Sequence, residues 1–588
     1  MDPRKSNQSL VRLVGLFKRL VDPQATQSFS LGGYVDSLTS TPYSLANAYL
    51  KVYCEADADL ARRYRFETVT IVDLSRTGHL DPVEEVRLRK QDVASLLEGG
   101  PTALCFSCYA WNVEAAMAAC AEVKQQAPDV VTVLGGRAVE AVGHAIVSRF
   151  PFIDFIINGE GELPFAELAR QGFAKSNPIP GVTFSQTDAQ GRRSVVSMLP
   201  GPPVMELGDI PSPFLNGAVE PSVDGLLMEL SRGCSHDCGY CAWNSCKIRR
   251  RFPAQRIGQE LAWAVANGVR HITFIDSAIN YETALLEEFS RELAQADPQR
   301  TLEFTFNLRH EDLDQQQFEL LEQIPARQIL LGMETLSDPA MEASNRSSFD
   351  TTRFRSVVHQ LSKCAPPVVG VVLGLPDDTL DGFKRTMEYL GSINDEIPGS
   401  LGGILVSLLQ VYPSTRLHKD ARRFGMNIRP RGIPYVLGHN SFPLEELKRA
   451  LVYLQLFRLR RPGLVKGPEG QAALLGKELQ GLFMESVAAL LVPHRPGDSV
   501  AGFRWLSTTA YSDGEGFGAF HFSAPGQPPL MVRLDGRDPR KPCFTHTSHF
   551  NIYFSEQRVS SPAASALMAA VKQLVLKNEL LLPLNQSL

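Results

Sequence analysis

No run of 18 apolar residues occurs anywhere in the 588-residue chain, which speaks against a membrane-spanning helix. Cysteine is scarce, with ten residues in 588. That excludes a disulfide scaffold and suits a reducing, cytoplasmic setting, where clustered thiols mean metal or catalysis. An excess of positive charge is also missing. Lys and Arg number 59 against 64 Asp and Glu, a net charge of −5, so no broad basic surface is offered to nucleic acid. Internal repeats and low-complexity segments are absent, which excludes solenoids and tails. The N-terminus mixes basic with apolar residues and has no signal-peptide core. Its spacing of Leu10, Leu13, Phe17 and Leu20 predicts an amphipathic helix lying on the protein.

What is present is enough apolar residue, 44%, for several cores. Residues 66–190 alternate short apolar runs with helical patterns: FETVTIVDL (66–74), TALCFSCYA (102–110), DVVTVLGG (129–136) and IDFIINGEGE (153–162) read as strands. Strands alternating with helices predict a doubly wound, Rossmann-like parallel sheet, whose ligands sit beyond the strands' carboxyl ends. Cys105 and Cys108 fall inside one such strand and read as core. The proline-rich stretch LPGPPVMELGDIPSPF (199–214) suits a boundary. A second series follows, with strands at 225–233, 270–278, 302–309, 327–335, 367–376 and 403–413. These make about six β/α units, a partial (β/α)6 barrel. Beyond about residue 430 the alternation stops, and a helix at 445–461 with later antiparallel strands predicts an α+β region. The domains are thus expected at 41–200, 220–430 and 431–588, with an N-terminal extension over 1–40 and a linker over 201–219.

The chemistry concentrates in SRGCSHDCGYCAW, residues 231–243, where Cys234, Cys238 and Cys241 are spaced C-x₃-C-x₂-C. A structural zinc site needs four closed ligands, usually in two separated pairs. Here the possible fourth ligands are His236 and Cys246, and no second pair follows. Three thiolates can instead hold three irons of a [4Fe–4S] cube and leave the fourth open.

The motif directly follows the first barrel strand, with Tyr240 before the last cysteine. In this it resembles the radical S-adenosylmethionine superfamily. The resemblance implies that Cys234, Cys238 and Cys241 ligate the cluster and that S-adenosylmethionine binds the open iron. Asp276 and Asn280 at the second strand end, Arg309 at the third and Glu334 in Gly332-Met333-Glu334-Thr335 at the fourth occupy positions where that family lines its site. Gly374-Leu375-Pro376 and Tyr412-Pro413-Ser414-Thr415 resemble its fifth and sixth turns.

The first domain has its own signature. DLSRTG, Asp73 to Gly78, resembles the D-x-H-x-x-G loop of cobalamin-binding domains, with Ser75 in place of the histidine. Ser107 and Gly135-Gly136 match the S-x-L and GG elements. FSCYAWN, with Tyr109, Trp111 and Asn112, and INGEGELPF, with Gly159 and Glu160, are typical of cobalamin domains fused to such barrels. Ser75 is a poor cobalt ligand and Arg76 stays protonated; His79 is the remaining nearby imidazole.

Together the two resemblances imply a class B radical methyltransferase with a [4Fe–4S] cluster, S-adenosylmethionine and cobalamin. It would pass a methyl group from methylcobalamin to a carbon of a small molecule or peptide in natural-product biosynthesis. An external electron donor of flavodoxin or ferredoxin type is implied, with neither nucleic acid nor membrane as partner. The layout also resembles the tryptophan C2-methylating enzymes of thiopeptide biosynthesis. This opens a polar variant in which Arg76 lies near cobalt and Asp276 or Glu334 takes the open iron. A non-methylating radical enzyme and a cobalamin-sensing regulator are the other readings. In the C-terminal region His546, His549, Tyr511 and Tyr553 are polar groups that either face substrate or serve the fold.

Overall fold

The structure, a computed structural model, describes residues 8–20, 43–75, 88–187, 190, 192–222, 225–346, 349–429, 433–461 and 463–466, and five C-terminal strands within 499–556. Short runs rich in Val, Ile, Leu and Phe form its strands, because a strand covered on both faces must be apolar on both. The first sheet has seven strands: β1 (Ser9–Leu20), β2 (Tyr64–Ser75), β3 (Ala103–Ser107), β4 (Val131–Gly135), β5 (Phe155–Ile157), β6 (Val182–Thr187) and β7 (Arg193–Ser197). Their order is β2-β1-β3-β4-β5-β6-β7. Pairing is parallel from β2 through β5, and the β6–β7 hairpin closes one edge antiparallel.

Residues 9–20 correct the expectation of an N-terminal helix. Val11 and Leu13 are buried in one face of the sheet and Val14 and Leu16 in the other. This period-2 burial of a two-sided apolar run defines a central parallel strand; the helical spacing of the four larger residues is incidental. Cys105 and Cys108 lie buried in opposite faces, as core.

The second sheet joins β8 (Leu226–Met228), β11 (His271–Phe274), β12 (Glu303–Leu308), β13 (Ala326–Glu334), β14 (Val368–Leu373), β15 (Gly403–Leu408) and a short β16 (Val465–Lys466). Neighbours in that sequence pair in parallel throughout. A two-stranded ladder, β9 (Ser231–Arg232) with β10 (Arg250–Arg251), stands just after β8. Helices at 254–266, 283–296, 315–321, 351–361, 380–396 and 444–460 cross between strands or cover them.

β8 is an edge, and edges expose unpaired backbone groups. Tyr43 covers it: its hydroxyl accepts from Leu227 N at 2.8 Å and donates to Leu227 O at 3.2 Å. The proline-rich segment is also more than a spacer. Leu207, Ile210 and Phe214 are buried in the barrel's core, and Arg256 donates to the Leu207 carbonyl at 3.3 Å.

The C-terminal strands β17 (Ser499–Val500), β18 (Phe503–Ala510), β19 (Gly518–Ser523), β20 (Leu530–Asp535) and β21 (Tyr553–Glu556) form an antiparallel sheet. Tyr553 starts β21, whereas Tyr511, His546 and His549 lie outside the described residues. Among the described residues no helix is long and apolar enough to cross a membrane.

Candidate functional site

The cysteine loop leaves the carboxyl end of β8, and its departure is fixed by hydrogen bonds to one carboxylate. Asp276, at the end of β11, accepts from Leu230 N at 3.0 Å, Ser231 N at 2.7 Å and Ser231 Oγ at 2.6 Å. Burial pushes its carboxyl up to about 7 against the pull of those donors. Gly233 is a forced choice: its φ is +92°, and a Cβ there would lie 2.2 Å from the Ile248 carbonyl oxygen. The chain can therefore return close by, and Cys234 N donates to Cys246 O at 2.9 Å.

Later strand ends pin the tip of the loop. Gly239 N donates to Ser344 O at 2.8 Å, and Leu417 N donates to Gly239 O at 2.9 Å. Asn345 Nδ2 reaches the Asp237 carbonyl at 2.9 Å. Cys234 and Cys238 are buried and Cys241 is half-buried. Burial, then the neighbouring Cys238 and Cys234, push the Cys241 thiol up to about 11. Thiols kept neutral this way become ligands only where a cation compensates their charge. Among the described residues no three His, Cys, Asp or Glu side chains converge tightly enough on one point for a single metal ion. Three thiols on one short loop suit a cluster in which each thiolate takes its own iron.

Around this loop the predicted residues join one polar network. Glu334, held at φ +70° at the end of β13, receives Arg346 NH1 at 3.1 Å. The same nitrogen donates to the Tyr240 hydroxyl at 3.0 Å, while Arg346 NH2 reaches Glu311 Oε1 at 3.2 Å. Arg309 NH2 meets that Glu311 oxygen at 3.0 Å. Burial raises the Glu334 carboxyl, and Arg346 and the Tyr240 hydrogen bond pull it back. Asn280 locks the end of β12 reciprocally, donating to Arg309 O at 2.9 Å and accepting from Arg309 N at 2.8 Å. Gly374, at φ +88° after β14, passes its carbonyl to His439 Nε2 at 3.0 Å.

Among the buried polar atoms without a hydrogen-bond partner are Arg346 Nε and Ser414 Oγ, whereas Arg309 Nε and His310 Nε2 lie 3.6 Å from Asp312 and 3.5 Å from Glu311, and Tyr281 faces Cys234. Buried polar groups are normally satisfied, so unpartnered atoms in the segments that follow the barrel strands suit a polar ligand such as S-adenosylmethionine. Arg346, Glu311 and Tyr281 escaped the sequence reading. The first two stand outside any quoted motif, and only the position of Tyr281, one residue after Asn280, was a signal.

In the first domain Ser107 ends β3 and Gly135 ends β4. Gly136 has φ +104°, and a Cβ would lie 2.6 Å from Cys108 O. Tyr109 and Trp111 stack with ring centroids 4.7 Å apart, and the Trp111 indole nitrogen is buried without a hydrogen-bond partner. Gly136 thus lets the Cys108 backbone pack against the end of β4, and the unused Trp111 donor in the loop after Cys108 suits a polar atom of a bound corrinoid.

Asn112 is committed to the backbone. It donates to Leu16 O and Ser107 O, both at 3.1 Å, and accepts from Tyr109 N at 2.7 Å. Glu160 likewise gives both carboxylate oxygens to Arg250, and Gly159 rests against Pro200. Asp73 and Ser75 end β2, with side chains outside the described residues, as are Arg76, Gly78 and His79.

Residues 228–390 match the Radical SAM superfamily and residues 35–169 match the B12 binding domain. The cobalamin-dependent radical SAM methyltransferase TokK of Streptomyces tokunonensis is 25% identical over 427 residues, covering 68% of this chain and 58% of that protein. The 2-(S-pantetheinyl)-carbapenam-3-carboxylate methyltransferase of Streptantibioticus cattleyicolor is 24% identical over 423 residues, covering 67% and 57%. The chain thus spans less than two thirds of these relatives' length. Among solved structures, TsrM from Kitasatospora setae with cobalamin and [4Fe–4S] cluster bound aligns at TM-score 0.56 and 15% identity, covering 78% of this chain and 91% of that one. OxsB with aqua-cobalamin and S-adenosylmethionine bound aligns at TM-score 0.55 and 13% identity, covering 83% and 73%. At these identities the likeness is one of fold.

Proposed function

As a member of the cobalamin-binding radical SAM proteins, this chain is, we propose, a C-methyltransferase of natural-product biosynthesis acting on a small molecule or a peptide. The observation that carries the reading is the three-thiol loop at the end of β8, held against a domain whose strand ends carry Ser107 and Gly135-Gly136. In this reading residues 41–200 hold cobalamin, 220–430 form the barrel and 431–588 shape the substrate site, within a reducing cytoplasm.

Cys234, Cys238 and Cys241 would hold the cluster. Asn280, Arg309, Glu334 and the Gly374 turn would meet S-adenosylmethionine, and Ser107, Tyr109, Trp111 and Gly135-Gly136 would meet cobalamin. When bound, the cluster supplies an electron for cleaving S-adenosylmethionine and the corrinoid supplies a methyl carrier.

The chain's own work is to position and to exclude water. Asp276 sets the direction in which the cysteine loop departs, and as a residue acting through that loop it is a positioning residue. Arg346 keeps Glu334, Glu311 and Tyr240 in fixed relation, pre-paying orientation for whatever binds at the mouth. Both Asp276 oxygens accept hydrogen bonds from Leu230 and Ser231, which favours a positioning role over ligation of the open iron in the polar variant. A flavodoxin- or ferredoxin-type protein would deliver the electron.

Anaerobic reconstitution with iron, sulfide and cobalamin, followed by counting of both metals, tests the assignment. The triple variant Cys234→Ala/Cys238→Ala/Cys241→Ala should keep cobalamin and lose the iron. Iron retained in that variant would refute the cluster assignment.

A further inference from the structure

The base of the cysteine loop carries two like charges facing one another. In the β9–β10 ladder Arg232 is the direct cross-strand partner of Arg250, an arrangement that pushes a two-residue ladder apart. Neither arginine is solvated: the Arg250 side chain is 3% exposed and that of Arg232 is 11% exposed. The neutralising carboxylates come largely from the other domain. Glu162, first residue of helix 162–170, lies 2.6 Å from Arg232 NH1. Glu160 receives both terminal nitrogens of Arg250, NH1 at 3.0 Å, and lies 3.6 Å from Arg232 NH1. From the barrel itself, among the described residues, Glu229 contributes, 2.9 Å from Arg232 Nε.

The rest of the packing places this charge cluster under the thiols. Arg232 lies 4.7 Å over the Tyr49 ring and two residues before Cys234. Arg250 also donates to the Val204 carbonyl at 2.7 Å and touches Cys246 Sγ at 3.7 Å. The carbonyl of that same Cys246 accepts from Cys234 N.

We propose that Glu160 and Glu162 of the first domain close the base of the cysteine loop, so that the loop keeps its cluster-holding form only while the two domains are docked. Glu160 is the central positioning residue, because among the described residues it is the carboxylate that meets both arginines. Without it Arg250 is a buried cation left with carbonyl partners beside a second cation, which a two-residue ladder cannot balance. The inference rests on the reading of Cys234, Cys238 and Cys241 as cluster ligands.

The test follows iron, not turnover. Wild type, Glu160→Gln and the double variant Glu160→Gln/Arg250→Gln are reconstituted anaerobically as full-length protein. Release of iron to a chelator is then timed, and cobalamin content is read from absorbance. Glu160→Gln should release iron at least about tenfold faster, because it leaves the buried Arg250 cation without its carboxylate, with cobalamin content unchanged. The double variant removes the like charge as well and should return to within about twofold of wild type through coupling of the two sites. The rescue separates an unbalanced charge from a lost contact, unchanged cobalamin content separates loop loosening from general loss of the fold, and the double variant is informative even if the single one does not fold. Iron release at the wild-type rate in Glu160→Gln, no rescue in the double variant, or lost cobalamin with retained iron would each overturn the proposal. If wild type itself takes up no cluster, the cluster reading fails instead.

Discussion

Arg346 ties Glu334 to Tyr240: a single guanidinium nitrogen lies 3.1 Å from the Glu334 carboxylate and 3.0 Å from the Tyr240 hydroxyl. One contact thus joins the fourth barrel strand to the aromatic residue that precedes Cys241. Replacing Arg346 with Met leaves Glu334 and Glu311 without their shared cation in a buried place. Chemical denaturation should show a loss of about 3–5 kcal/mol, the usual cost of removing one partner of a buried pair. A loss below about 1 kcal/mol would place the pair among solvent-screened ones.

Gly332 makes room for that carboxylate. A Cβ at this position would lie 2.6 Å from Glu334 Oε1, so Gly332→Ala must displace it. Binding of S-adenosylmethionine by equilibrium dialysis should weaken about tenfold, while Gly370→Ala, whose Cβ meets only Leu331 O at 3.9 Å, should leave affinity unchanged. Equal effects from the two substitutions would detach Glu334 from the binding site.

Gly136 plays the matching role in the cobalamin domain. With φ at +104° and a Cβ position 2.6 Å from the Cys108 carbonyl, Gly136→Ala combines backbone strain with a backbone clash. It should cost about 1–3 kcal/mol of stability and lower cobalamin content after reconstitution. Gly135→Ala, whose Cβ meets Ile157 at an ordinary 3.7 Å, should retain the fold.

The barrel core also carries a pH dependence. His271, at the start of β11, is buried against Thr305 Oγ1 at 2.9 Å. Burial first, and the nearby Arg327 charge second, lower its pKa to about 4. The unfolded chain takes up this proton near 6.5, so the stability is full above that value and is lost as pH falls toward 4. The linkage is worth about 3 kcal/mol at most. Thermal unfolding between pH 7 and pH 4 should therefore show a smaller acid loss in His271→Asn than in wild type. His310, lowered to about 4 in the same way, keeps part of the slope in both proteins.

The parallel strands and the cysteine loop were legible because their signals are local. Two-sided apolar runs give the former, and three thiols within eight residues give the latter. Residues 9–20 misled because Leu10, Leu13, Phe17 and Leu20 happen to fall at helical spacing, although Val11 and Val14 are buried in opposite faces of the sheet. The β6–β7 hairpin went unseen since its strands are short and partly polar. Arg346 and Glu311 belong to no motif, and only folding brings them to Glu334 and Tyr240. Glu160 shows the opposite case: its motif was visible, but its partner, Arg250, lies 90 residues away in the other domain.

The proposed function requires a cluster that cleaves S-adenosylmethionine and a cobalamin that carries a methyl group. The most direct measurement is mass analysis of the products formed from S-adenosylmethionine by the fully reconstituted, anaerobically reduced protein. Wild type should yield both 5′-deoxyadenosine and S-adenosylhomocysteine, and the Cys234→Ala/Cys238→Ala/Cys241→Ala variant no 5′-deoxyadenosine. Absence of both products from cluster- and cobalamin-loaded wild type would contradict that function.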